Sequence, residues 1–405
     1  MSAPWRNLPS HQEWLDGEAQ DLLAFARGAR MRRGFGWMGV RPSVLAGQPQ
    51  PLWIVARMTH VFALGELLGL PGCAPLCEHG LHALLNDYAD REHDGWFAEL
   101  VDGHPGTTDK EAYSFAFVVL AFSSALIAGH TSARTALLHA LDLVDRNFWQ
   151  DADGACCESY DRTWMKREAY RGANANMHMV EAFLAAADAL MDVQWLKRAR
   201  RICERIVNKQ ARAHAWRLPE HFDEAWKPVL DYNSDNREHP FRPFGVTPGH
   251  GFEWARLLVS LRSRLPDKPA WMLEAAVGLF DRAASDGWLP SGGFAYTVDM
   301  SGNPVVSRRF HWVVTEAIAA AAVLHVATGE TRFEHWYRKC WDFADAHLRD
   351  RENGSWHHEL DDALTPVQRT WPGKPDIYHA LQATIIPRLS VCGSIAGGLR
   401  DRTRT

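Results

Sequence analysis

Apolar positions recur along this chain at steps of three and four. Leu137, Leu141, Val144 and Phe148 form one stripe; Leu15, Ala19, Leu22 and Ala26, and Leu273, Val277 and Phe280, form others. That is the spacing of helices burying one face. It predicts helices near 10–29, 51–69, 74–88, 109–128, 132–147, 171–191, 193–210, 248–264, 268–285, 309–328, 330–348 and 375–387. Strand signals are confined to short loop pieces, such as Gly293–Val298 with Pro304–Val306 beyond a turn.

Loop lengths alternate. The pairs 109–128 with 132–147 and 309–328 with 330–348 are joined by a few residues, as antiparallel neighbours require. Between pairs run long segments rich in Gly, Pro, Asp and Trp: 88–108, 149–170, 211–247, 286–308 and 349–374. Several share a turn with an aromatic: Asp94-Gly95-Trp96, Asp286-Gly287-Trp288 and Asn353-Gly354-Ser355-Trp356. Loops this long in a compact domain usually carry function. Twelve helices in six hairpins, with long loops on alternate sides, describe an all-α fold, the (α/α)6 barrel. No linker divides the chain, so one domain is expected over 1–396, with a polar, frayed tail at 397–405.

At 405 residues the chain is long enough to bury a core without disulfides or metals. Its 46% hydrophobic and 23% charged residues exclude disordered and collagen-like classes. A net charge of −5 argues against nucleic acid as a partner. The first fourteen residues, MSAPWRNLPSHQEW, lack the apolar core of a signal peptide. The run Ala317–Val326, broken by His325, is too short for a span, so no membrane is expected either. Seven cysteines without a C-x-x-C pair fit buried thiols in a reducing cytoplasm. The unusual counts are 20 His and 18 Trp. Imidazoles move protons and indoles offer flat apolar faces, a pairing suited to a polar small molecule.

Arg57, Tyr113, His178, His250, Glu316 and His379 lie near the starts of the first helices of successive hairpins, at gaps of 56, 65, 72, 66 and 63 residues. In a closed barrel such equivalent positions converge on one mouth. His250, in Pro248-Gly249-His250-Gly251-Phe252-Glu253-Trp254, belongs to a helix's first turn, whose partial positive charge favours a neutral ring. Glu253, three residues on, is within reach of that ring or of a bound hydroxyl. His178 and Glu181 repeat the H-x-x-E spacing; the two pairs can also be read as ligands for two metals, although known di-metal helices use the reverse order. Arg57 on an apolar helix needs an anionic or hydroxylated partner. His379 follows Pro375, which opens the last helix. Glu316 interrupts an apolar run, where a lone polar residue is more often satisfied structurally than catalytic. Trp53, Trp254 and Trp312 could stack on sugar C–H faces or pack the core. No phosphate loop, nucleophile elbow or Cys–His signature is present.

The strings Arg57-Met58-Thr59-His60-Val61-Phe62-Ala63, Asn174-x-x-x-His178-x-x-Glu181-Ala182, Pro248 to Trp254, Trp312-x-x-x-Glu316-Ala317 and Asp376-x-Tyr378-His379-x-x-Gln382-Ala383 resemble the N-acylglucosamine 2-epimerase superfamily, in order over nearly the whole chain. Leu8-Pro9-Ser10-His11 and Asp109-Lys110-x-x-Tyr113-x-x-x-Phe117 most resemble its mannose isomerase and sulfoquinovose isomerase branch. The resemblance implies an (α/α)6 barrel that interconverts aldoses with ketoses, or epimerises them at C2, with no metal or other cofactor. It implies that Arg57, Asn174, His178, Glu253 and Glu316 line the sugar site, with His250 and His379 as the acid–base pair. Arg242, in Phe241-Arg242-Pro243, resembles a substrate-binding Arg of the family.

Histidine suits this chemistry because its pKa lies near working pH. His379 is expected to shuttle the proton. His250 is expected to open the ring and to serve as a possible second-face donor, while Arg57 and His178 stabilise the enediol oxygens. The favoured reaction is aldose–ketose isomerisation of a free monosaccharide by a monomer or homodimer. A 2-epimerase on the same barrel remains the alternative. A glycoside hydrolase using Glu253 and Glu316, or a non-catalytic sugar-binding protein, are the rival classes.

Overall fold

The computed structural model describes residues 3–402. Among them are thirteen α-helices. They are α1 (Pro9–Ala26), α2 (Leu52–Leu67), α3 (Cys73–His82), α4 (Ala112–Ala128), α5 (Ala133–Leu143), α6 (Ala173–Leu190), α7 (Gln194–Cys203), α8 (Pro248–Arg264), α9 (Ala270–Gly287), α10 (His311–Thr328), α11 (Thr331–Phe343), α12 (Tyr378–Ile385) and α13 (Ile395–Arg402). The first twelve answer to the twelve predicted from periodicity. They form two compact units. The first comprises Leu23–Ile202, Pro375–Tyr378 and the residues from Gly393 onward; the second comprises the chain up to Leu22, Cys203–Lys374 and His379–Cys392.

In the first unit α2, α4 and α6 lie side by side, with α3 against α2 and α5 against α4. The inner helices are apolar on every face, as helices with neighbours all round must be: α4 is buried from Ser114 to Ala125 without a break. Burying one Leu or Phe of such a helix contributes about 1.5–3 kcal/mol. The outer α3 and α5 are amphipathic, and each runs into a wider π-helical turn, at Ala83–Asp87 and Val144–Phe148. In the second unit α8 and α10 are neighbours, backed by α9 and α11 respectively.

Three features depart from the sequence reading. The tail expected to be frayed from 397 instead forms α13, packed against α2, α4 and α6. Ser394 secures its start by donating through N and Oγ to Asp188 Oδ2, both at 2.8 Å; residues 403–405 lie outside the described residues. Asp286-Gly287 is not a loop turn but the end of α9, where Asp286 accepts from Arg217 Nε at 2.8 Å. Finally, α10 has the length and mean hydropathy, 1.3, of a membrane span. It is nevertheless a core helix, because 72% of it is buried inside its own fold.

The expected strand pair is present as Thr297–Val298 against Pro304–Val306. Other two- and three-residue strands stand directly before inner helices: Gln50–Pro51 pairs with Glu99–Val101, Lys110–Glu111 with Ser159–Tyr160, and Arg309–Phe310 with Glu359–Leu360. Long loops are thereby pinned to the helix starts.

Candidate active site

Each inner helix is entered from an extended residue: Pro51, Glu111, Gly172, Thr247 and Phe310 have ψ between 108 and 142°. The second or third residue after that entry is where the buried run admits a polar or aromatic side chain. Those side chains are Trp53, Tyr113, Asn174, His250, Trp312 and, on α12, His379. Tyr113, Asn174, His250 and Trp312 are half-buried; Trp53 and His379 are each 8% exposed.

In the second unit His250 and His379 flank one indole. The Trp312 ring centroid lies 5.3 Å from that of His250 and 5.7 Å from that of His379. Gly249 makes room for the indole: a Cβ there would sit 2.3 Å from Trp312 Cζ3. Both imidazoles have a carboxylate on Nδ1. His250 Nδ1 lies 3.0 and 2.9 Å from Glu220 Oε1 and Oε2, and His379 Nδ1 lies 2.9 Å from Glu316 Oε1. A carboxylate accepts, so each Nδ1 carries the proton. Glu253, expected within reach of the His250 ring or of a bound hydroxyl, leaves the His250 Nδ1 contact to Glu220. It accepts from Arg256 Nη2 at 3.3 Å, and Arg256 Nε donates to Glu316 Oε2 at 3.1 Å. One guanidinium thus holds both carboxylates, an arrangement for two anions rather than for the acid-plus-base pair of a hydrolase.

In the first unit Arg57 has the partners its burial demands. Nη1 donates to Asp376 Oδ2 at 3.1 Å and Nη2 to the Tyr113 hydroxyl at 2.9 Å. Its carbon Cζ stands 4.9, 4.3 and 4.7 Å from the Trp53, Phe117 and Tyr378 ring centroids. Burial works to lower its pKa, but Tyr113, Asp376 and Tyr378 outweigh it and push the pKa up, so the charge is permanent. His178 packs on Phe117 and Tyr113, at 4.6 and 5.2 Å, with Nδ1 3.7 Å from Glu181 Oε2. Glu181 in turn accepts from the Tyr378 hydroxyl. Asn174 Oδ1 is buried with no hydrogen-bond partner.

Arg57, Tyr113, Asn174 and His178 therefore belong to the first unit, and His250, Glu253, Glu316, Trp312 and His379 to the second. Arg242 sits among its own loop, with Nη1 3.5 Å from the Tyr232 hydroxyl and its backbone oxygen accepting from Asn233. Trp254 is fully buried and is a core residue, not a stacking platform. Of the two H-x-x-E pairs only His178 with Glu181 is close; His250 turns to Glu220 instead. Elsewhere in the first unit, Glu66, Cys77 and His130 have ligand-type atoms within 4.8 Å of one another. The Glu66–His130 hydrogen bond of 2.6 Å, and the burial that pushes the Cys77 thiol up, make this a clamp between helix ends.

Glu220, Arg256 and the stacked pair His311–His358 (centroids 3.8 Å apart, His311 6.4 Å from His379) were not marked by the sequence, and Asp376 stood in a motif without a role. His311 carried a usable signal: it is the residue just before Trp312 at the same helix entry.

A family model described as N-acylglucosamine 2-epimerase matches residues 34–383. The chain belongs to the N-acylglucosamine 2-epimerase family. Within that family it is 50% identical over 400 residues to a protein named D-mannose isomerase from Thermobifida fusca, covering 98% of each chain. It is 45% identical over 401 residues to one of the same name from Pseudomonas cannabina pv. alisalensis, covering 98% of this chain and 97% of that one. A solved structure described as D-mannose isomerase superposes with a TM-score of 0.88 at 29% identity, covering 94% of this chain and 99% of that one. The fold class is the expected all-α (α/α)6 barrel of this family.

Proposed function

We propose that this protein is an isomerase that interconverts D-mannose and D-fructose by proton transfer through a cis-enediol, with no metal or other cofactor. The observation that carries the reading is the pair His250 and His379, each with Nδ1 on a carboxylate and with Trp312 between them. It stands in a chain half identical to a relative named for that reaction.

In this reading His250 opens the pyranose ring. His379 Nε2 removes the proton from C2 while the electron pair moves to O1, which is protonated, giving the enediol. O2 then gives up its proton as C1 receives one from His379, leaving a ketone at C2. Arg57 and His178 are assigned to the charge on the enediol oxygens, where a preorganised donor contributes about 10²–10³ in rate. Asn174, Tyr113, Trp53 and Glu253 are assigned to binding. The cations are already balanced, Arg57 by Asp376 and Arg256 by Glu253 and Glu316, which favours a neutral sugar over a sulfonated or phosphorylated one. D-Lyxose shares the C2 and C3 configurations of mannose and lacks its C6 hydroxymethyl, so conversion to D-xylulose is expected as a side activity. Cys73, Cys77, Cys156, Cys157, Cys203 and Cys340 are free and buried, which supports a reducing, cytoplasmic setting.

The test is incubation with D-mannose in D₂O, followed by NMR, with and without a chelator. Fructose labelled at C1 is expected at the same rate in both. Glucose labelled at C2 as the main early product would replace this reading with a 2-epimerase. Loss of turnover on chelation, restored by one divalent ion, would overturn the metal-free chemistry.

A further inference from the structure

Glu66, Cys77 and His130, which take no part in the proposed reaction, come from three elements of the first unit. Glu66 stands in the last turn of α2 and Cys77 inside α3, while His130 lies one residue beyond Gly129, the left-handed residue that ends α4. His130 is fixed by its backbone: its N–H donates to Ala125 O at 3.0 Å, and its carbonyl accepts from Ala133 at 3.0 Å. Gly65 lets α3 approach the last turn of α2, since a Cβ there would sit 2.6 Å from the sulfur of Cys73, one turn before Cys77. A carboxylate oxygen, a thiol sulfur and an imidazole nitrogen are thereby gathered within 4.8 Å of one another. Both α2 and α4 end here, and the partial negative charge of their last carbonyls favours a cation. Cys77 is fully buried, whereas the Glu66 side chain is 26% exposed and that of His130 10%, so the cluster has a closed wall and an open side.

We propose that Glu66, Cys77 and His130 form a structural site for one divalent cation of the zinc class. The donor set selects the ion. Thiolate and imidazole suit zinc rather than magnesium or calcium, and three protein ligands leave one tetrahedral position for water. In the chain without the ion, protons take its place: His130 Nε2 donates to Glu66 Oε2 at 2.6 Å, and Cys77 keeps its thiol proton. On binding, the Cys77 S–H bond breaks, its electron pair forms the sulfur–metal bond, and the proton leaves to solvent. The His130 proton moves from Nε2 to Nδ1, and the freed Nε2 pair and a Glu66 oxygen complete the protein ligands. The ion keeps its charge, so no oxidant or reductant enters. Glu78 Oε1 lies 3.9 Å from His130 Nδ1 on a side chain that is 70% exposed, free to close on the new N–H as a positioning carboxylate. Glu66 is nine residues beyond Arg57 on α2, about 13 Å along the helix axis. The site therefore ties α2, α3 and the α4–α5 turn together and does not enter the reaction.

The experiment adds zinc or cadmium to the full chain after chelation and removal of the chelator. Cadmium is read by its ultraviolet thiolate charge-transfer band, and zinc by the thermal melt and by competition with a chromogenic chelator. One equivalent is expected to bind, with a cadmium–thiolate band and a melt that rises with free zinc. Cys77→Ala should lose the band. Glu78→Gln should weaken zinc binding by about 10–100-fold, the effect of losing an outer partner of a ligand, and His130→Gln should weaken it further. Cys392→Ser, which removes a partly exposed thiol, should leave both readouts unchanged. Circular dichroism checks the folding of each variant, and fructose formation below the melting range should be equal with and without zinc. A wild type with neither band nor melt shift overturns the inference, as does a full band that survives in Cys77→Ala or vanishes in Cys392→Ser. Unchanged zinc affinity in a folded His130→Gln overturns it as well. Fructose formation that falls on zinc removal while the chain stays folded overturns the structural role.

Discussion

Arg57 shows how much one residue's meaning depends on distant partners. Its place in an apolar helix already demands a counter-group, since an unpaired buried charge is not tolerated. Its anion, Asp376, lies 319 residues away in sequence and its hydroxyl, Tyr113, 56 away, so no local pattern could name them. The same applies to Glu220, 30 residues before His250 and separated from it by a long loop. Pro-led helix starts mark His250 and His379 in the sequence, and Glu316, the carboxylate on His379, was singled out with them; Glu220, the carboxylate on His250, was not. Arg57 fills both partners through a planar fork that lysine cannot reproduce. Arg57→Lys is therefore expected to keep the charge and the fold but lower kcat by about 10²-fold, the effect of losing an oriented oxyanion donor. Steady-state kinetics on D-mannose, with a thermal melt as control, measures this. An unchanged kcat would remove Arg57 from the chemistry.

Among the elements, the helices were readable because their apolar period is sustained over many turns, whereas their ends were not. The stretches predicted as single helices at 74–88, 132–147 and 330–348 each change to π-helical winding at Ala83, Val144 and Ala344. The apolar stripe continues through the change, so periodicity does not report it. The start of α8 was read for its His and not for its glycine, yet the glycine sets the geometry. Trp312 lies so close over Gly249 that a methyl group would meet Cζ3 at 2.3 Å and Cη2 at 2.6 Å. Gly249→Ala must push the indole from between the two imidazoles. The overpacking is expected to cost about 1–3 kcal/mol of stability, and the displaced ring to lower kcat by about 10²-fold, as small misplacements in a site do. Urea unfolding and kinetics on the same variant read both. Wild-type kcat in Gly249→Ala would show that Trp312 does not position the site.

Across the whole molecule the sequence repeat becomes a repeated device. Asp94-Gly95-Trp96 and Asn353-Gly354-Ser355-Trp356 signalled it, but its buried part was not visible. In the first unit Lys110 Nζ donates to Asp90 Oδ2 at 2.9 Å, and in the second Lys374 Nζ donates to Asp350 Oδ2 at 2.7 Å. Each Asp also accepts from the backbone of its own turn, at Glu92 and His93 in one unit and at Glu352 and Asn353 in the other. Both pairs are buried, so each stitches a long loop to the chain that leads toward an inner helix. Burial works to raise the Asp350 pKa, but Lys374 and the Asn353 N–H outweigh it and bring it down to about 2. Asp90 is likewise held well below the usual carboxylate range, against its burial, by Arg162 and Lys110. An unfolded Asp titrates near ~3.9. A carboxylate depressed on folding contributes stability that is complete above that value and is lost as pH falls through its folded value. The urea midpoint is therefore expected to fall between about pH 4 and pH 2 as these carboxylates protonate. Asp350→Asn should already lower the midpoint at neutral pH, because Lys374 is left buried without its anion, a loss of about 3–5 kcal/mol. Its midpoint should then fall less steeply than that of the wild type between about pH 4 and pH 2. Urea titrations of both proteins across that range decide it, and parallel acid limbs would show that Asp350 does not govern acid unfolding.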